Sequence, residues 1–218
     1  MANLASTYMN QGRWGEAEQL EVQVLETRKL KLGADHHDTL ASMANLASIY
    51  RNQGRWEEAE QLFVQVLETS KTKLGADHPY TLTSMANLAS TYMNQCRWEE
   101  AEQLEAHVLE TRKTKVGADH PDTLASMANL ALIFRSSGQD TAAFLLMTEC
   151  VRLRDRKLGS DHPYTLSSSA TLSEWHGKSS SPSSQLTKAP TESKENQILS
   201  SSPETRDLPS SVQIWQTS

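Results

Sequence analysis

Residues 43–84 read MANLASIYRNQGRWEEAEQLFVQVLETSKTKLGADHPYTLTS, and their opening hexapeptide decides the fold. Met-Ala-Asn-Leu-Ala-Ser stands at Met1, Met43 and Met85 and returns as Met-Ala-Asn-Leu-Ala-Leu at Met127, 42 residues apart each time. A unit that recurs at a fixed period of about 20–50 residues marks a solenoid or array, not a compact globule. Function in such a chain is expected on an extended surface, not in a single catalytic pocket.

Inside the unit, Leu46, Ala47, Ile49 and Tyr50 form one helical stripe. Ala47 is small where a neighbouring helix must come close. Gln53-Gly54-Arg55 breaks the pattern, and Gly54 permits a left-handed turn. A second helix opens at Trp56-Glu57-Glu58, with acids at the positive end of its dipole. Ala59, Leu62, Phe63, Val66 and Leu67 make its apolar face. Lys71 and Lys73 fall in the last turn, and Gly75 ends the helix. Asp77 is the expected N-cap of the next helix, with Pro79 in its first turn. Each unit is therefore helix–turn–helix plus a capped loop, and stacking on the next unit supplies its core. The fold class is all-α, a solenoid over residues 1–176 with units 1–42, 43–84, 85–126 and 127–168 and a half-repeat cap at 163–176.

Bulk properties narrow the function. The chain has 218 residues and a net charge of −6. No basic stripe points to nucleic acid. No apolar run approaches the roughly 18 residues of a membrane span, and no signal peptide is apparent. The reading is cytoplasmic. Cys96 and Cys150 occupy non-equivalent repeat positions, Cys96 where Gly12, Gly54 and Gly138 stand, so free thiols are expected.

Chemistry-bearing motifs are few. Asp-His-Pro recurs at Asp77, Asp119 and Asp161, with Asp35-His36-His37 in the first unit. A metal needs three or four converging ligands, whereas these pairs lie one repeat apart, about 10 Å. Capping accounts for them better. Trp14, Trp56 and Trp98 at helix starts read as packing between units. No phosphate loop and no Ser/His/Asp or Cys/His set is present. The chain reads as non-enzymatic, with no cofactor and no metal.

The pattern of Leu46, Ala47, Tyr50, Gly54, Ala59 and Phe63 resembles the tetratricopeptide repeat. Ala-Glu-Gln-Leu, Val-Leu-Glu-Thr and Leu-Gly-Ala-Asp-His-Pro are similar to its 42-residue kinesin-light-chain form, also seen in fungal NLR-like arrays. The resemblance covers about residues 1–172 and implies a right-handed α-solenoid. It departs at Met43, at Val66, and at Glu21 and Glu105, which replace the aromatic Phe63 and put local packing in question. In the fourth unit Asp140 replaces Trp and is expected to act as an N-cap. Residues 163–175 keep Ala170 and Leu172 but carry Ser167, Ser168 and Ser169, as in a degraded terminal cap.

In this family the first helix of each unit lines a concave groove. The resemblance thus implies a peptide-binding column of Asn3, Asn45, Asn87 and Asn129, then Ser6, Ser48 and Ser90, then Asn10, Asn52 and Asn94. Met9, Arg51, Met93 and Arg135 flank it. Asn offers a donor and an acceptor to an extended peptide backbone; the same residues can instead bond between repeats as scaffold. Ala44, Ala86 and Ala128 disfavour the carboxylate clamp of chaperone-binding relatives, while Arg51 and Arg135 favour acidic segments.

The implied function is a non-catalytic scaffold that captures an extended peptide or helix. The alternatives are a self-assembling sensor array of an NLR-like protein, through open solenoid ends, or a kinesin-light-chain-like cargo adaptor. Residues 177–218 are Ser/Pro-rich and expected to be disordered. They carry Ser181-Pro182 and Ser202-Pro203 as kinase acceptors and an apolar end at Val212, Ile214 and Trp215. Met1 falls inside a first helix without its Asp-His-Pro lead-in, so the chain reads as part of a longer array.

Overall fold

A computed structural model describes residues 2–179. In chain order the helices are α1 (Ala2–Asn10), α2 (Trp14–Leu32), α3 (His37–Asn52), α4 (Trp56–Leu74), α5 (Pro79–Asn94), α6 (Trp98–Val116), α7 (Pro121–Ser136), α8 (Asp140–Leu158) and α9 (Pro163–Ser179). No strand occurs among the described residues. Each helix packs on the next in sequence, giving a right-handed α-solenoid. The expected boundary after 176 falls inside α9, and from residue 180 the Ser/Pro-rich tail, with its kinase acceptors and apolar end, lies outside the described residues.

The turn within each unit is tight. Arg55 N–H donates to the Tyr50 carbonyl at 2.9 Å, and Gly54 sits at φ 78° to allow it. Cys96 holds the same place at φ 59°, a left-handed conformation that a side chain disfavours. Cys96 is exposed and Cys150 buried; neither forms a disulfide.

The cap between units differs from the sequence expectation. The N-cap of α5 is His78, not Asp77: its Nδ1 accepts from Tyr80 N–H at 3.2 Å. His36, His120 and His162 cap α3, α7 and α9 the same way. The helix begins one residue later than the Asp would need. The Asp instead receives a lysine from the next unit, as in Lys115–Asp77 at 3.1 Å and Lys157–Asp119 at 3.0 Å. Asp140 is likewise no cap. It is the first residue of α8, and Arg135 Nη1 lies 2.7 Å from its carboxylate.

Close helix approach within units runs over alanine. Ala47, Ala89 and Ala131 on the first helices and Ala59, Ala101 and Ala143 on the second are all completely buried. The drifting position holds Phe63 and Met147 in two units and Glu21 and Glu105 in the others, and both glutamates are equally buried. They do not open the packing; they put a carboxyl into it. At the C-terminal end, Trp175 of α9 is buried and meets Phe144 edge-on at 5.7 Å, closing the stack.

Candidate functional site

The first helix of each unit carries polar residues at three- and four-residue spacing on the side away from its own second helix. Stacking lines these sides up. The result is one concave groove of about 900 Å³ that reaches from Met9 and Trp14 to Leu158 and Tyr164.

Asn45, Asn87 and Asn129 stand together in its wall, as do Ser48 and Ser90, Asn10, Asn52 and Asn94, Met9 and Met93, and Arg51. The side chain of Asn3 lies outside the described residues, and Ser6 is exposed but off the lining. Arg135 is not brought to the groove. It turns instead to Asp140 and lies over the rings of Phe144 and Trp175, at 5.5 and 5.8 Å.

Several lining groups are already committed. The Ser48 and Ser90 hydroxyls donate to the Ala44 and Ala86 carbonyls at 2.9 and 3.0 Å. Asn52 Nδ2 donates to the Ser48 carbonyl at 2.8 Å. These bonds occupy side-chain donors of the lining residues. The Asn94 Oδ1 is buried with no donor on it.

Arg51 is the unusual member. It is only 6% exposed, yet it lines the groove. Its Nη1 donates to the Asn87 carbonyl of the next unit at 3.2 Å, and its Nε has no acceptor. Burial pulls this guanidinium down to about 10 from its ordinary value. No carboxylate among the described residues pairs with it, and buried charges are usually paired. It remains a cation at neutral pH.

The carboxyls behind the wall are shifted the other way. Burial raises Glu105 to about 7, against the opposing pull of Ser126, Arg112 and Asn129. Asn129 Nδ2 donates to its Oε1 at 3.5 Å, while Oε2 has no partner. Burial raises Glu21 also, with Ser42 and Asn45 opposing. A groove Asn therefore stands in front of each buried carboxyl.

The rim carries residues beyond the column expected from the sequence. Tyr80, Thr83, Arg112, Asp122, Arg154 and Tyr164 also line the groove. Extending the Asn87 stripe back by helical spacing reaches Thr83 and Tyr80, so those were findable. Arg112 and Arg154 come from second helices, and only stacking brings them there. Among the described residues, no three His, Cys, Asp or Glu side chains gather as a metal site, and no helix is long and apolar enough to cross a membrane.

Comparison with known proteins agrees with the repeat fold. The tetratricopeptide repeat signature matches residues 1–72, 41–114 and 84–156. A solved structure of kinesin light chain-like, nearly identical TPR-like repeats from Podospora anserina is 30% identical over 82% of this chain and 84% of its own, with TM-score 0.69. A single-substitution form of those repeats is 31% identical with the same coverage and score. BtubC (BKLC) from P. vanneervenii shares the fold at 16% identity, with TM-score 0.62, over 89% of this chain and 85% of its own. No curated protein matches the chain.

Proposed function

Since the chain belongs to the tetratricopeptide repeat family, with kinesin light chain-like repeats among its relatives, we propose that it is a scaffold that holds an extended peptide along its concave groove. The observation that carries this reading is the continuous groove with Asn45, Asn87 and Asn129 at one level of its wall. Successive amides one repeat apart present a donor and an acceptor each, which suits a peptide backbone more than any one side chain. Arg51 gives the reading its chemical preference. A buried cation without a carboxylate partner gains from an acidic side chain brought by the ligand. No catalytic step is assigned to the groove.

The test uses a displayed library of random 12-residue peptides selected on the full chain. Enriched peptides are expected to carry an acidic residue and to lose about 10- to 100-fold in affinity on Asn45→Ala plus Asn87→Ala. That loss corresponds to two hydrogen bonds of about 1 kcal/mol each. Circular dichroism melting should fall only slightly, since Asn45 also faces the buried Glu21 carboxyl. Peptides that bind the double variant as well as the parent, or a collapse of stability in the variant, would overturn the assignment and make the Asn column scaffold.

A further inference from the structure

We propose that Glu105 is a specificity-determining residue of the groove: from behind the wall it holds the Asn129 amide with its nitrogen inward and its oxygen toward the ligand. This rests on the groove as a peptide site and adds what one level of it offers.

The repeat sets a residue of each second helix 24 positions before a residue of the next first helix. Glu21 is thus matched with Asn45, Phe63 with Asn87, Glu105 with Asn129 and Met147 with Thr171. The first member of every pair is buried, and the three asparagines line the groove. At the third pair the two side chains touch, Asn129 Nδ2 donating to Glu105 Oε1 at 3.5 Å. At the first pair Asn45 faces Glu21, but neither carboxyl oxygen has a donor at hydrogen-bond distance, so that hold is looser.

An ionised carboxyl accepts and cannot donate, whereas an amide has a donating end and an accepting end. Facing Glu105, the Asn129 amide turns its nitrogen in and offers the groove chiefly its oxygen. Ser126 faces the same carboxyl and accepts from Arg112 Nη1 at 2.9 Å, so polar groups run from Arg112 to the groove wall. A protonated carboxyl can donate as well, and its claim on the nitrogen lapses. Burial brings that change close to neutral pH.

The charged and titratable groups of the packed helices are engaged elsewhere. On α5, Tyr80 packs beside the Leu40 and Met43 cluster and Tyr92 lies under Arg97. On α7, Asp122 sits beside His120 and Arg135 meets Asp140. On α6 itself, Arg112 acts on Glu105, and Glu102 accepts from Gln139 at 2.8 Å. The remaining charged residues of α6 are exposed, as is His107, two positions on and so across the helix.

Asn87 is the internal contrast. Phe63 stands at the carboxyl's place and supplies no oxygen there, so both ends of the Asn87 amide stay open. Arg51 lies beside it, donating to the Asn87 carbonyl. The groove therefore favours a peptide that brings an acid to Arg51 and, one repeat further, an N–H to Asn129.

Proton–nitrogen NMR of the full chain carrying isotope-labelled asparagine tests this without a ligand, so its outcome is separate from that of the peptide selection. The Asn129 side-chain N–H signal, identified by its loss in Asn129→Ser, should move downfield as pH rises from 6 to 8, with a midpoint at about 7. The Asn87 signal should stay flat. Glu105→Met installs the residue found at position 147 and should flatten Asn129 as well. An Asn129 signal that ignores pH in the parent chain overturns the proposal, as does one that still moves in Glu105→Met. Should that variant unfold, the parent's Asn129 signal read against Asn87 decides alone.

Discussion

Glu105→Gln should make the protein more stable at pH 8 and leave it nearly unchanged at pH 5. Glu105 is completely buried in α6, with one oxygen 3.5 Å from Asn129 Nδ2 and the other without a donor. Burial lifts its carboxyl from the ordinary 4.5 to about 7. The unfolded chain has no such burial. Between those two values the folded state therefore holds a proton that the unfolded state has lost. The stability this contributes is fully present below pH 4.5 and is lost as pH rises through 7. At about 1.4 kcal/mol per pH unit, the interval amounts to about 3 kcal/mol. Glutamine keeps the shape and never ionises. Urea denaturation at pH 5, 6, 7 and 8 on both proteins isolates the effect, because every other titrating group is common to them. The variant should gain up to about 3 kcal/mol on the parent across the series. Parallel stability curves for the two proteins would refute the assignment. So would a parent that gains stability on Glu105→Gln equally at pH 5 and pH 8.

Three further substitutions probe the frame. Cys96→Gly relieves a left-handed residue at φ 59° and should raise stability by about 1 kcal/mol in chemical denaturation. His120→Ala removes the Nδ1 acceptor for Asp122 N–H and should lower stability by about 1 kcal/mol, read from the melting transition. Arg97 joins Glu60 at 2.8 Å and Glu100 at 3.0 Å and lies 4.0 Å from the Tyr92 ring. Arg97→Ala should cost about 1 kcal/mol at low salt, and part of that difference should vanish in 1 M NaCl, since these groups are partly exposed.

How much could be read in advance varied with the range of the interaction. The 42-residue period, the helix pairs and the Gly54 turn are local or repetitive signals, so they were legible. The groove column of Asn45, Asn87 and Asn129 was legible only through the family resemblance. The cap was misplaced by one residue because Asp77 and His78 both offer an acceptor, and only the backbone path selects His78. Glu105 was legible as a departure at the aromatic position of Phe63 that put local packing in question, but not as a carboxyl enclosed in intact packing. Its burial depends on α7, 24 residues away at Asn129.

Arg51 and Arg135 make the same point from one repeat position. Their local sequences promised equal roles. Arg51 is covered by the next unit and donates to Asn87; Arg135 meets Asp140, Phe144 and Trp175. What repeats is set along the chain: helix lengths, turns and the small alanines of the contact each depend on a few neighbours in sequence. The tertiary structure decided which charges lie inside and which residues form the groove. Burial and hydrogen bonding there belong to pairs of units, and a pair exists only once they have stacked.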